Sequence, residues 1–103
     1  MDRDGTIDTE RAALLVMDYQ VDIIARIATG QTGLLQRAAA VLAAARAAKM
    51  LVVYVVVGFR PGFPEVSERN ASFRTLKSSG TFAPGPGTEI DRAVAPEPGD
   101  IVV

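Results

Sequence analysis

Residues 13–24 read ALLVMDYQVDII, an apolar run that stops at Asp18 and continues with further polar residues at two-residue steps. A short, unbroken apolar run of this kind is typical of a strand covered on both faces, as in a parallel sheet. We therefore predict a strand over residues 12–17, with Asp18 at its carboxyl end. In open parallel α/β sheets, ligands bind outside the carboxyl ends of the strands. Asp18 is thus a candidate site residue, although a solvated aspartate at a strand terminus would give the same pattern.

The segment after this strand completes a βαβ unit. Apolar residues recur at three- and four-residue steps through residues 33–48, which predicts a helix with Thr32 as its N-cap. Residues 51–57, LVVYVVV, predict a second buried strand rich in β-branched residues. Residues 100–103 begin a third apolar run. This order predicts the fold class α/β, with parallel neighbouring strands and a right-handed crossover.

The region between the second and third strands is rich in turn residues. Residues 58–87 contain GFRPGFP and SSGTFAPGPG, with a helical turn or two predicted within residues 65–76. A long irregular stretch inside a compact domain is often a functional loop. Its phenylalanines Phe63, Phe73 and Phe82 could line a pocket or an oligomer interface, or anchor the loop to the core. Residues 88–95 predict a short helix that is capped by Thr88 and ended by a proline.

The composition narrows the chemistry that the chain can carry. It has 103 residues, enough for one domain, with 49% apolar residues, a net charge of −1, no cysteine and no histidine. Disulfides, cysteine nucleophiles and zinc sites of the Cys/His type are therefore excluded from these residues. A metal would need carboxylate ligands, which favour magnesium or calcium. We predict no metal and no cofactor.

The charge and the apolar pattern also bear on partners and location. A near-neutral chain gives no reason to expect nucleic acid or an anionic membrane surface as partner. No apolar run approaches the ~20 residues that span a bilayer. Residues 1–10 are a polar lead-in without the apolar segment of a signal peptide, so we expect a cytoplasmic protein. Residues 11–103 are expected to belong to one domain.

The N-terminus contains DRDGT at residues 2–6, which resembles the D-x-D-G-T signature of the haloacid-dehalogenase-like phosphatases. This resemblance implies Asp2 as a nucleophile toward phosphate and Asp4 as an acid/base, joined by magnesium. In that family a buried strand precedes the motif and holds the first aspartate rigid, whereas only Met1 precedes it in this chain. A flexible polar terminus explains the same five residues.

The stretch around Asp18 resembles a different family. ALLVMDYQVDI resembles the first strand and active-site loop of the isochorismatase-like hydrolases, whose pattern is an apolar strand followed by D-x-Q-x-D. AAARAAKMLVVYVVVGFRPGFPE resembles that family's helix, second strand and following loop. GTFAPGPGTEIDRAVAPEPGDIVV is similar to its approach to the third strand. The order and spacing of these blocks carry the resemblance, from about Arg11 to Val103.

The resemblance implies a Rossmann-like three-layer αβα fold with a parallel sheet, truncated in this chain after the third strand. It also implies an Asp–Lys–Cys triad in which Asp18 is the acid/base beside a cysteine thiolate. The family's lysine follows the third strand and its cysteine follows the fourth, so neither is reached by Val103. We therefore expect the N-terminal part of a hydrolase that acts on a small molecule (an amide, ester or vinyl ether) and is inactive alone.

Two departures from the family pattern qualify this expectation. Ile23 stands where the family usually has phenylalanine, and the absence of histidine weakens a zinc-binding nicotinamidase. Lys77 is a poor stand-in for the missing lysine, because its loop has no counterpart in the family. The alternative is a non-catalytic α/β module whose residues 58–87 serve an interface.

Further residues complete the predicted site. Gln20 and Asp22 place polar groups in the loop of Asp18, where they could orient its carboxylate or contact substrate. Tyr19 could shape the pocket or pack elsewhere, and Arg60 could face an anionic substrate, a partner subunit or only solvent. The full-length parent is expected to bind a small-molecule substrate. Half a sheet would expose an edge and an apolar face, which predicts low stability, aggregation or a homo-oligomer.

Overall fold

Three parallel strands form a single sheet in the computed structural model, which describes residues 4–103. The elements in chain order are β1 (Ala13–Met17), α1 (Val21–Ile27), α2 (Leu34–Ala47), β2 (Leu51–Val55), α3 (Ala71–Ser79), 3₁₀ turns at Pro86–Thr88 and Arg92–Val94, and β3 (Ile101–Val102). The strand order is β1-β2-β3. β1 and β2 pair from Ala13↔Leu51 to Met17↔Val55, and β2 pairs with β3 at Val53↔Ile101. The predicted α/β class with parallel neighbours is confirmed.

One face of the sheet is covered by α2. Successive side chains of a strand point to opposite faces, and Val52 and Tyr54 of β2 are 2% and 0% exposed on the covered side. The apolar stripe of the helix supplies Leu42 and Ala45, which are also buried. The buried core residues are Val16, Leu42, Ala45, Val52, Tyr54 and Val94. Full burial of one leucine contributes about 1.5–3 kcal/mol, so this packing fixes the strand ends that carry the site.

The opposite face of the sheet is open to solvent in the part of the chain that the structure describes. Leu15 and Met17 of β1 are 54% and 52% exposed, and Ile101 of β3 is 44% exposed. The prediction that the first strand is covered on both faces is therefore not met within residues 4–103. The predicted uncovered apolar face is present. β1 reads as a continuous apolar run because the residues on both of its faces are apolar.

α2 is bounded at both ends by residues in the left-handed conformation. Its N-cap is Gly33, at a φ of 80°, and no side chain caps the helix there. The predicted cap at Thr32 is therefore wrong. At the other end Lys49 has a φ of 59°, and the Met50 N–H donates to the Ala45 carbonyl at 2.9 Å. This closing bond ends the helix and turns the chain into β2.

Two stretches differ from the predicted elements. α1 has no counterpart among them, because a helix of seven residues is shorter than the window over which apolar periodicity distinguishes a helix, and none of its residues is buried. The helix predicted at residues 88–95 is replaced by two 3₁₀ turns. Between these turns Ile90 forms an antiparallel bridge with Gln20, which holds the intervening backbone extended.

α3 begins and ends on strong local signals. The Asn70 side chain accepts a hydrogen bond from the Phe73 N–H at 2.9 Å and caps the first turn. Gly80, at a φ of 70°, ends the helix. α3 therefore overlaps the predicted range 65–76 at residues 71–76 and extends three residues beyond it. Within residues 4–103, no helix combines the length and the apolar character needed to cross a membrane.

Residues 58–83 build an apolar cluster of their own. Phe59, Phe63 and Val66 are its buried members, and Leu76, Phe82 and Ala83 pack against them. The ring centroids of Phe59 and Phe63 lie 5.1 Å apart. Phe73, on α3, meets Phe59 edge-on at 5.7 Å. The phenylalanines thus pack the long loop and α3 against each other, and their predicted role as an anchor to the main core stays a prediction.

A partly buried polar network joins α2 to the turn before β3. Arg46 donates through Nη2 to Asp100 Oδ2 at 2.6 Å and to the Tyr54 hydroxyl at 3.1 Å. Tyr54 in turn donates to the Val94 carbonyl at 2.6 Å. Burial alone would raise the pKa of Asp100, but the Glu97 N–H and the Arg46 guanidinium together hold it below its usual value. The network fixes the approach of the chain to β3.

Candidate functional site

Asp18 lies directly after β1, at the carboxyl end of the parallel sheet. Its φ of 66° is in the left-handed region, which costs a residue with a side chain roughly 1–2 kcal/mol, although aspartate tolerates it better than most. Its N–H donates to the Val55 carbonyl at 2.9 Å, so the turn begins while the chain is still bonded to β2. The side chain is exposed. The carboxylate is therefore accessible at the edge where parallel sheets bind ligands, and its catalytic role stays a prediction.

Gln20 is fully buried, with 0% of its surface exposed. Its Nε2 donates to the carbonyls of Val57 at 2.6 Å and Thr88 at 2.8 Å. Its Oε1 accepts from the Val57 N–H at 2.9 Å. Contact between this amide and a substrate, which the sequence left open, would require these bonds to break.

The loop after β1 is held against residues 86–91. The Val21 N–H donates to the Glu89 carbonyl, and the Asp91 N–H donates to the Tyr19 carbonyl, both at 2.9 Å. These two bonds flank the buried amide of Gln20. Residues 86–91 are therefore part of the candidate site, although the sequence predicts no site residue among them.

Asp22 lies in the first turn of α1, where its negative charge interacts favourably with the helix dipole. Its carboxylate sits over Gly87, in the first 3₁₀ turn. A Cβ atom at Gly87 would fall inside the volume that this carboxylate occupies. The absence of a side chain at residue 87 thus permits α1 to approach the turn closely. Gly87 is a site residue that sequence reasoning missed, and its only signal is the run PGPG.

Tyr19 and Arg60, the other two predicted site residues, have different surroundings. Tyr19 is half-buried and packs against the main core cluster. Arg60, in the loop after β2, is 74% exposed and pairs through Nε with Glu65 Oε1 at 2.7 Å. The hydrogen bond from Arg60 holds the pKa of Glu65 below its usual value. Arg60 is thus paired within its own loop, and its contact with substrate stays a prediction.

The groove beside α1 and the charged side chain of Lys77 do not contribute to the site at Asp18. A groove of about 480 Å³ lies between α1 and the start of α2, with Ile24, Ala28 and Leu34 among its lining residues, and Asp18 does not line it. Lys77 pairs with Glu68 at 3.4 Å on the loop and α3. Among residues 4–103, no group of three acidic side chains is placed to hold a metal ion.

The phosphatase motif falls partly outside the structure. Asp2 lies outside the described residues. Asp4 is exposed, and the Thr6 N–H, which donates to Asp4 Oδ1 at 2.9 Å, lowers the pKa of that carboxyl. No strand occurs in residues 4–12, since β1 begins at Ala13. The strand that the phosphatase chemistry requires would precede Asp2, which lies outside the described residues, so the roles of Asp2 and Asp4 stay predictions.

The chain is similar to known proteins both in its sequence pattern and in its fold. The family model for the isochorismatase domain matches residues 12–103. No curated protein matches the chain. A cysteine hydrolase from Pseudomonas syringae pv. phaseolicola 1448A is similar in structure, with a TM-score of 0.77 and 23% identity over 93% of this chain and 46% of its own.

A second solved structure agrees with the first. An isochorismatase family protein from Desulfovibrio vulgaris subsp. vulgaris str. Hildenborough is 29% identical, with a TM-score of 0.69 over 87% of this chain and 50% of its own. The chain thus spans about half the length of these solved structures.

Proposed function

The chain belongs to the isochorismatase family, and from this premise we propose that it supplies Asp18 as the acid/base group of a hydrolase acting on a small molecule. The bond cleaved would be an amide, an ester or a vinyl ether, as the family resemblance implies. The single observation that carries the proposal is the position of Asp18, exposed just past β1 in a constrained backbone conformation.

The chemistry requires two further groups. For an amide or ester, a carboxylate takes the proton of a thiol, the thiolate attacks the carbonyl carbon, and the proton passes to the leaving group as its bond to that carbon breaks. Water then attacks the resulting thioester, which releases the acid and restores the thiol. A lysine would stabilise the ionised carboxylate and thiolate beside it. The chain has no cysteine, so the nucleophile would have to come from outside these residues. We therefore propose that these 103 residues alone turn over no substrate.

The test is made on the complete reading frame that contains these residues. If it encodes a lysine after β3 and a later cysteine, Asp18→Asn should lower kcat by about 100- to 10,000-fold, the usual range for a lost acid/base group. KM should change little, and the cysteine variant should be equally inactive. Asp8→Asn, in the segment before β1, is the matched control and should retain full activity.

Two outcomes would overturn this function. A reading frame with an aliphatic residue at the cysteine position has no thiol for Asp18 to deprotonate. Undiminished turnover by Asp18→Asn would show that the acid/base group is another residue. Either outcome would favour the second candidate, a non-catalytic module in which residues 58–87 serve an interface. The observation that favours this second candidate is Phe73 on α3, which stays 39% exposed beside the aromatic cluster.

A further inference from the structure

The side-chain amide of Gln20 bonds to the backbone N–H and C=O of Val57, as a neighbouring strand would. β2 and β1 are bonded as far as Val55, whose carbonyl accepts from the Asp18 N–H. After Asp18, the chain that follows β1 leaves the sheet and enters α1. In a parallel sheet the N–H and C=O of every second residue point to the same side. Val57, two residues after Val55, therefore presents both groups toward β1, and Gln20 bonds to both of them.

The same amide also reaches the third segment of the site. The second N–H of Gln20 Nε2 donates to the Thr88 carbonyl at 2.8 Å, so both amide protons and one carbonyl lone pair are used. Thr88 is followed by the residues whose main chain bonds to Tyr19 and Val21. One buried side chain thus joins the loop after β1, the end of β2 and the segment after α3.

Asp18 stands two residues before this junction. Its left-handed φ of 66° is a conformation that an aspartate leaves readily unless the surrounding structure holds it. The bond of its N–H to Val55 fixes the start of the turn. The bonds of the Gln20 amide to Val57 and Thr88 fix the end of the turn. The direction of the Asp18 Cα–Cβ bond is set between these two anchors.

We propose that Gln20 is the positioning residue of Asp18, holding its carboxylate at the sheet edge through the backbone of the turn. Gln20 acts through the conformation of Asp18 and touches no reacting atom. The catalytic consequence rests on the function proposed above, whereas the conformational one does not. The alternative is that Gln20 adds only to stability, and the experiment separates the two.

The readout is the NMR signature of the Asp18 backbone, its HN–Hα coupling and its Cα and Cβ shifts, in the isotope-labelled chain. In Gln20→Leu, which removes all three bonds, these values should shift toward those of an averaged or extended aspartate. The matched control is Tyr54→Phe, which also leaves a buried carbonyl, that of Val94, without its side-chain donor. Its melting temperature should fall while the Asp18 signals stay in place.

Gln20→Glu serves if the leucine variant does not fold. Its carboxyl group keeps the shape of the side chain and the bond from the Val57 N–H, but it has no N–H and at most one O–H, so at least one of the two donor bonds is lost. The Asp18 signals should shift in this variant as well, by less than in Gln20→Leu. In the unsubstituted chain, the Val57 amide should exchange with solvent as slowly as that of Asp18. Asp18 signals that stay unchanged in a folded Gln20 variant, or a Val57 amide without protection, would overturn the proposal.

The catalytic arm uses the complete reading frame. Gln20→Glu should lower kcat by about tenfold or more with little change in KM, and should add no further loss when combined with Asp18→Asn. If Asp18→Asn leaves turnover intact, the proposed function fails while the NMR result still decides the role of Gln20. If Asp18→Asn abolishes turnover but Gln20→Glu leaves both kcat and the Asp18 signals unchanged, the positioning proposal fails alone.

Discussion

Gly87 and Asp22 meet where α1 packs against the first 3₁₀ turn. A methyl group at residue 87 would occupy the space of the Asp22 carboxylate. Gly87→Ala should therefore push α1 away from the turn and lower the free energy of unfolding by about 1–3 kcal/mol, as overpacking usually does. Urea denaturation followed by far-UV circular dichroism measures the loss.

A control substitution and a double-mutant cycle identify the cause of that loss. At Gly58 an added Cβ would meet only the Phe82 carbonyl, at 3.9 Å, and the backbone is not left-handed there. Gly58→Ala should be neutral or slightly stabilising. In an Asp22→Ala background, Gly87→Ala should cost much less, since the carboxylate is gone. An equal loss in both backgrounds would mean that the two residues do not compete for space.

At the scale of single residues, the sequence could predict Asp18 and Gln20 but not the partners of Gln20. Asp18 ends an apolar run, which is a local pattern. The partners of Gln20 lie 37 and 68 residues away, and nothing local marks them. A polar side chain three residues after a strand equally predicts contact with ligand or with backbone. Only the fold, which buries Gln20 beside Val57 and Thr88, distinguishes the two.

The link between α2 and β3 should give the fold a defined dependence on pH. The pKa of Asp100 is lower in the folded chain than its usual value of about 3.9, so the ionised form stabilises the fold. That stabilisation is fully present above the unfolded pKa and is lost as the pH falls through the folded pKa. Asp100→Asn should cost about 1–3 kcal/mol near pH 7, and its gap to the unsubstituted chain should narrow below about pH 4.

The exposed ion pair of Arg60 and Glu65 provides the comparison for the pH dependence predicted at Asp100. The pKa of Glu65 is also lowered by an arginine, but Arg60 is 74% exposed and solvent screens the pair. Glu65→Gln should therefore change the unfolding free energy little at any pH. Melting curves collected from pH 3 to pH 7 decide the matter. A constant gap between Asp100→Asn and the unsubstituted chain across that range would show that the charge of Asp100 is not what joins α2 to β3.

The elements that the sequence could predict are those whose pattern arises from burial. β1, β2 and α2 pack against one another, and each leaves an apolar run or stripe. α1 buries no residue, and its seven residues are too few for apolar periodicity to predict a helix. The segment at residues 88–95 has a plausible helix cap and a terminating proline, yet its bridge to Gln20 overrides both. Local helix signals fail in this segment because the competing bonds come from a distant part of the chain.

At the scale of the whole molecule, the sheet is covered on one face only within residues 4–103. The solved structures it resembles are about twice as long. The sequence predicts the open face, since continuous apolar strands require a cover on each face and only one long helix is predicted between them.

The open face should make the isolated chain self-associate. Its exposed residues form one apolar surface across the three strands, because Leu15 pairs with Val53 and Val53 with Ile101 in the sheet register. Exposed apolar surface of this kind drives association, and β1 and β3 are both edge strands with free backbone groups. We therefore propose that the chain forms dimers or larger species at micromolar concentrations, which sedimentation velocity over a dilution series would detect.

Substitutions on the two faces test whether the sheet surface is responsible. Leu15→Lys places a charge on the open face, on the edge strand β1, and should shift the species toward monomer with the far-UV spectrum unchanged. Ala40, which is exposed on α2, is the control. Ala40→Lys adds the same charge on the helix that covers the opposite face and should leave the sedimentation profile as it was. Equal effects of the two lysine substitutions would show that net charge, and not the open face, controls the association. A monomeric unsubstituted chain would contradict the proposal, because the apolar sheet face would then remain in water without a partner.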